Sequence, residues 1–135
     1  MSRLVSRTID AESVIHGVER PGAGAVLTFA GTVRDSHLGR EVTGIEYHAY
    51  EEMAVREMDR IEAAARSKWP GIEIEIVHRI GFLDVGEASV LIAVSSAHRA
   101  EGFAALRYAI DAIKESVPIW KKELYTDGHA WIEGS

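Results

Sequence analysis

Lys114-Glu115-Ser116-Val117-Pro118-Ile119-Trp120-Lys121-Lys122-Glu123 joins two periodicities across a single proline. Upstream, Phe103, Leu106, Ile110 and Ile113 recur at helical spacing, and downstream Ile119 to Thr126 alternates as a strand does. Proline has no N–H to donate and holds its predecessor extended. The helix from about Arg99 or Ala100 should therefore end at Ser116, beside Val117, and Pro118 should open a strand. Lys114 then falls in the last helical turn. Lys121 falls on the strand, on the side opposite Trp120 and Leu124, which this pattern assigns to the core. Both ammonium groups would overhang one cleft. Each lysine alone has an ordinary explanation, as a complement to the helix dipole or a charge protecting a sheet edge.

The 135 residues fit one domain, 1–135, with a sizeable core. Hydrophobic residues make up 47% and charged residues 27%, the balance of a soluble globular chain. No apolar run approaches the roughly 18 residues that span a membrane. Met1 to Asp10 lacks the apolar segment of a signal peptide, so a cytoplasmic location is expected. The net charge of −6 argues against nucleic acid or an anionic membrane recognised through a broad basic surface. Any anion site must be local.

With no cysteine, the chain has no disulfide, thiolate nucleophile or zinc-thiolate centre. If it handles sulfur, another molecule must bring it. The histidines at 16, 37, 48, 78, 98 and 129 form no His-x-His, His-x-x-x-His or His-Glu-x-x-His pattern, so no metal is expected. Gly22-Ala23-Gly24 precedes an apolar strand instead of opening a helix, the wrong setting for a dinucleotide loop, and no Walker A pattern occurs.

In chain order, Arg3 to Ile9 reads as a first strand, and Asp10 caps a helix from about Ala11 to Glu19 that Pro21-Gly22 terminates. Gly24 to Val33, apolar on both faces, reads as a buried central strand running into a polar loop, Arg34 to Arg40. Val42 to Tyr50 is the next strand. A helix over Glu51 to Trp69 follows, with Ala54, Met58, Ile61 and Ala65 on its core face. After Pro70-Gly71, Ile72 to Ile80 alternates, with His78 on the isoleucine side, where a hydrogen-bonded core histidine is expected. Gly81 to Gly86 reads as a hairpin connection to Ala88 to Ser96, a strand apolar on both faces. Ser96 or His98 then lies at a helix N-terminus, where free N–H groups and the dipole favour anions. Asp127-Gly128 marks a last hairpin, ending in the strand His129 to Ile132. About three helices and six or seven strands indicate a mixed α+β domain with a largely antiparallel sheet.

Arg34, His98, Arg99, Lys114 and Lys121 are thus basic candidates at the ends of elements in an acidic chain, and their convergence would hold a phosphate-bearing metabolite or a carboxylate. Crowded cations also lower a lysine pKa, freeing an amine for proton transfer.

Several motifs in order resemble one family: Phe29-Ala30-Gly31-Thr32-Val33-Arg34, Glu46-Tyr47-His48-Ala49-Tyr50 with Met53-Ala54, His78-Arg79-Ile80-Gly81, Gly86-Glu87, Ser96-Ala97-His98-Arg99, Pro118 to Glu123 and Trp131-Ile132-Glu133. From Gly24 onward the chain is similar to the large, catalytic subunit of molybdopterin synthase, the MoaE family. The resemblance implies an α/β-hammerhead type fold and a homodimer. It also implies a small ubiquitin-like sulfur-carrier subunit docked on each copy, giving a heterotetramer. That partner's C-terminal thiocarboxylate would deliver sulfur twice to cyclic pyranopterin monophosphate, forming the dithiolene of molybdopterin, with no tightly bound cofactor.

Residue by residue, Lys114 and Lys121 match the family's active-site lysines, and Arg34, His98 and Arg99 match residues that bind the anionic pterin. Thr32, Val33, Lys122 and Glu123 line the same segments, and Phe29 and Ile110 would be apolar pocket or partner contacts. Two departures stand out. Asp35 occupies a position where the family often has asparagine, and the chain stops at Ser135 where many relatives carry a tail. A non-catalytic anion-binding or oligomeric scaffold domain is the alternative, distinguished by binding without turnover.

Overall fold

Pro118 divides helix from strand as its chemistry requires. In the computed structural model, which describes residues 3–134, the preceding helix stops at Ser116, Val117 is extended (φ −81°, ψ 127°) and a strand starts at Ile119. The readings placed on Met1, Ser2 and Ser135 lie outside the described residues.

In order the elements are β1 (Arg3–Val5), α1 (Ala11–Val18), β2 (Ala25–Thr32), β3 (Ser36–His37), β4 (Arg40–Ala49), α2 (Glu51–Lys68) and β5 (Glu73–Arg79). They continue with β6 (Gly81–Asp84), β7 (Ala88–Ser96), α3 (Arg99–Ser116), β8 (Ile119–Tyr125) and β9 (Gly128–Glu133). One sheet has the order β1-β5-β7-β2; the other has β3-β4-β8-β9, with β6 also on β4. Among the described residues every pairing is antiparallel except β1 with β5. The fold is α+β with three helices, as expected.

Helices cover both faces of the first sheet. Val14 and Val18 of α1 pack on Val77, Leu91 and Ala93. On the opposite face α2 buries Ala54, Met58, Ile61 and Ala65 completely, the stripe read from the sequence. The buried side of α3 is Gly102, Ala105, Ala109 and Ile113, with Phe103 61% exposed, so the expected stripe is rotated by about one residue. The cause is close approach. Gly102 lies against the Leu27 side chain and Ser96 Oγ, where a Cβ has no room. A single core cluster then joins both sheets through Ile76, Ile92, Ile45, Leu83 and Ile119.

Five local expectations are corrected. β1 ends at Val5 instead of Ile9, because polar Ser6-Arg7-Thr8 leaves the sheet after Ile80 N–H donates to Val5 O at 2.8 Å. The strand expected at the centre, β2, is an edge that among the described residues pairs with β7 alone. Ala25, Leu27, Phe29 and Gly31 are half-buried while Val26, Thr28, Ala30 and Thr32 are exposed; apolar residues on both faces do not separate a central strand from an edge with an apolar outer side. The Arg34–Arg40 loop contains a tight hairpin, β3 with β4, turned by Leu38 and Gly39 at φ 51° and 77°. The Gly81–Gly86 connection contains β6, which crosses to the second sheet and pairs with β4. The final turn is Thr126-Asp127, one residue earlier than expected, since Gly128 already pairs with Tyr125.

His78 is the core histidine anticipated, with no exposed surface, and its Nδ1 donates to Arg79 O at 2.8 Å. Burial drives its pKa down from 6.5 to about 4; the Arg79 carbonyl works against the fall, and the charges of Lys114 and Lys121 add to it. The folded state therefore favours neutral imidazole. Stability from this group is complete above pH 6.5 and is lost as pH falls toward 4, about 2 kcal/mol of it by pH 5. Urea unfolding at pH 7.5 and pH 5 should show this loss in the wild type and a smaller one in His78→Gln; equal losses would contradict it.

Candidate functional site

Alternation along β8 sets the site. Ile119, Glu123 and Tyr125 are buried, and Lys121 shares their face with its side chain 20% exposed. Lys121 does lie opposite Trp120 and Leu124, as read from the sequence, but the core is on the lysine's side and Trp120 faces outward. This orientation puts an ammonium among buried groups. Lys121 Nζ lies 3.8 Å from Glu123 Oε2, and Glu123 Oε1 accepts the Tyr125 hydroxyl at 2.6 Å. That hydrogen bond, followed by burial and the carboxylate's charge, raises the Tyr125 pKa. Arg40 covers the Tyr125 ring at 3.7 Å and pairs with Asp127 at 2.9 Å.

Directly across from Lys121 on β4 stands Tyr47, 5% exposed. Burial raises its pKa, a hydrogen bond with Ser89 opposes the rise, and the Glu123 charge adds to it. Ser89 Oγ also donates to Gly31 O at 3.2 Å, which ties this cluster to the end of β2. Thr32, Val33 and Arg34 therefore stand at the lysine end of the molecule. Val33 is buried, its N–H donating to Glu87 O at 3.0 Å, and exposed Arg34 places Nη2 3.4 Å from His37 Nδ1.

Lys114 enters from the last turn of α3. The residue is exposed, yet desolvation of its amine, and next the charge of Lys121, holds its pKa below the ordinary lysine value. The charge of Lys121 therefore acts on Lys114, although Lys121 does not line the cleft beside it. A cleft of about 470 Å³ opens beside Lys114, bounded by Tyr50, Pro118, Trp120 and Glu133. A wider groove near Leu4, Val55 and Arg56 carries none of the site lysines.

The remaining candidates separate. Lys122 lies on the outer face of β8, with Nζ 5.6 Å from the Trp131 ring centroid, away from Lys121 and Glu123. Phe29 and Ile110 are half-buried and pack on the core. His98 is the N-cap of α3 and makes no side-chain cap bond; Ser96 Oγ donates to His98 O at 2.6 Å instead of capping the helix. His98 and Arg99 are exposed at the far end of α3. Fifteen residues of helix separate Arg99 from Lys114, about 22 Å at 1.5 Å per residue. Within one chain, the five basic residues do not converge. Sequence reasoning also passed over Tyr47, Ser89 and Tyr125. The tyrosines share strand parity with Ile45 and with Lys121 and Glu123, which was their available signal; Ser89 had none.

Comparison with known proteins agrees with this architecture. The MoaE protein family model matches residues 4–116. The molybdopterin synthase catalytic subunit of Bacillus subtilis is 51% identical over 129 residues, covering 96% of this chain and 82% of that protein. A crystal structure of molybdopterin synthase from Staphylococcus aureus matches with a TM-score of 0.92 at 43% identity, over 95% of this chain and 93% of that one. The complex of subunits 1 and 2 of the molybdopterin-converting factor from Helicobacter pylori shares the fold, with a TM-score of 0.76 at 19% identity, over 96% of this chain and 88% of that one. With the family model spanning most of its length and a relative identical at half of the positions, the chain belongs to the MoaE family of molybdopterin synthase catalytic subunits.

Proposed function

We propose that this chain transfers sulfur, in the cytoplasm, from the C-terminal thiocarboxylate of a small ubiquitin-like partner to cyclic pyranopterin monophosphate. Two transfers form the dithiolene of molybdopterin. The observation that carries the reading is the Lys114–Lys121 pair, one amine desolvated and the other seated beside Glu123, at a cleft in an acidic chain. Both reactants are anions, and two ammonium groups lower the repulsion between them. In one transfer the thiocarboxylate sulfur bonds to the side-chain carbon that carries the cyclic phosphate and displaces the phosphate oxygen; in the other it replaces a carbon-borne oxygen that leaves as water. Water then cleaves each acyl–sulfur bond, leaving sulfur on the substrate and a carboxylate on the partner. Lys114, with its lowered pKa, is suited to carry the proton as the cyclic phosphate opens. The chain itself contributes no sulfur, having no cysteine, and needs no tightly bound cofactor in this scheme.

His98 and Arg99 enter the proposal through a second copy. The free edge of β2 exposes Val26, Thr28 and Ala30, an outer side fit for pairing. Two β2 strands pairing antiparallel about a two-fold axis would set the Ala25 end of one beside the Thr32 end of the other. The His98-Arg99 corner of one chain, adjoining Ser96 and Ala25, then reaches the lysine end of its neighbour. The homodimer would thus complete each anion site, and each half would still dock its own small subunit.

In single turnover with thiocarboxylated partner, Lys114→Ala and Lys121→Ala should each lower dithiolene formation by about a hundredfold or more while partner binding persists. Binding of the pterin without turnover by the wild type would instead make the chain a non-catalytic anion-binding domain. Mixing inactive Lys121→Ala and Arg99→Ala chains should restore about a quarter of wild-type activity, because half of the random dimers keep one intact site. No recovery would place both residues in the same chain's site.

A further inference from the structure

His78 keeps an unused lone pair. The Arg79 carbonyl can only accept, so the 2.8 Å bond to Nδ1 requires the proton there and leaves Nε2 as a bare acceptor. Among the described residues Nε2 is buried without a hydrogen-bond partner, on a side chain with no exposed surface. A buried acceptor left unmatched is costly, and such groups ordinarily have a donor within reach. The ring beside it belongs to a residue of the site. The His78 ring meets the Tyr47 ring edge-on, centroids 5.2 Å apart, and Tyr47 stands directly across from Lys121 on the same sheet face. An ammonium has three donors, and at 3.8 Å Glu123 holds Lys121 as an ion pair beyond hydrogen-bond length. From α3, the charge of Lys114 also acts on His78.

We propose that His78 is a positioning residue: a turn of the flexible Lys121 side chain lets Nε2, unpartnered among the described residues, accept a hydrogen bond from the amine and aim it across the anion site. The role rests on the sulfur-transfer reading for its consequence but not for its geometry. With one N–H directed at Nε2 and another toward Glu123, the amine loses its freedom to turn, and its third donor faces outward to the thiocarboxylate or the phosphate. Neutral imidazole serves this purpose where imidazolium would repel the lysine, which agrees with its lowered pKa.

Two substitutions separate positioning from packing. Asparagine places an amide N–H near the Nδ1 position and has nothing at Nε2; glutamine places an acceptor near Nε2. On the chain alone, NMR should show wild-type His78 protonated at Nδ1, and the Lys121 Cε resonance should move in His78→Asn but not in His78→Gln. In single turnover with thiocarboxylated partner, His78→Asn should slow sulfur transfer about tenfold or more with little change in pterin affinity, and His78→Gln should recover most of the rate. Protonation at Nε2, an unmoved Lys121 resonance in His78→Asn, or equal losses in the two variants would overturn the proposal. Were the wild type unable to transfer sulfur, the functional reading would fall while the resonances still decided the role of His78.

Discussion

Lys121 points into the core side of a sheet, and Glu123, two residues further along the same strand face, makes that tolerable. An ammonium taken out of water without a counter-charge costs several kcal/mol. Here a carboxylate 4% exposed lies 3.8 Å away and is itself held by the Tyr125 hydroxyl. The pattern Lys-x-Glu-x-Tyr on a strand of period two places all three groups on one side. Lys122, of the same residue type and one position away, lies over Trp131 on the opposite face. Strand parity alone gives the two lysines different surroundings.

The pair also requires Lys114, and that depends on Pro118. By ending α3 and starting β8 within a few residues, the proline returns the chain toward the helix end, so that the charge of Lys121 acts on Lys114 seven positions earlier. The loss of water, and next the charge of Lys121, lower the Lys114 pKa. The same helix carries His98 and Arg99 to its other end. A rigid helix of 18 residues thus holds apart two halves of what the proposal treats as one anion site, and the free β2 edge is the means by which a second copy would reunite them.

Much of this was legible in the chain. The proline junction, the α2 stripe, the core histidine and the mixed α+β class all followed from local rules: missing N–H groups, helical spacing and strand alternation. What escaped depended on neighbours. Trp120 and Leu124 look more like core residues than Lys121 and Glu123 do, and only the pairing of β8 with Tyr47 on β4 shows which face is inside. Phe103 falls in the apolar period of α3, yet close packing at Gly102 turns it outward. β2 has the composition of a central strand and lies at an edge. β6 is too short to announce that it changes sheets. The separation of Arg99 from Lys114 was implicit in the helix length, but convergence on one site required knowing which way α3 runs back along β7.

The central claim is that one anion site is assembled from the lysine end of one copy and the His98-Arg99 corner of another. A structure of the dimer with cyclic pyranopterin monophosphate bound tests it most directly. The account predicts a ligand lying between Lys114 and Lys121 of one protomer and Arg99 of its partner. A ligand contacting residues of a single chain, or seated away from the lysine pair, would contradict it.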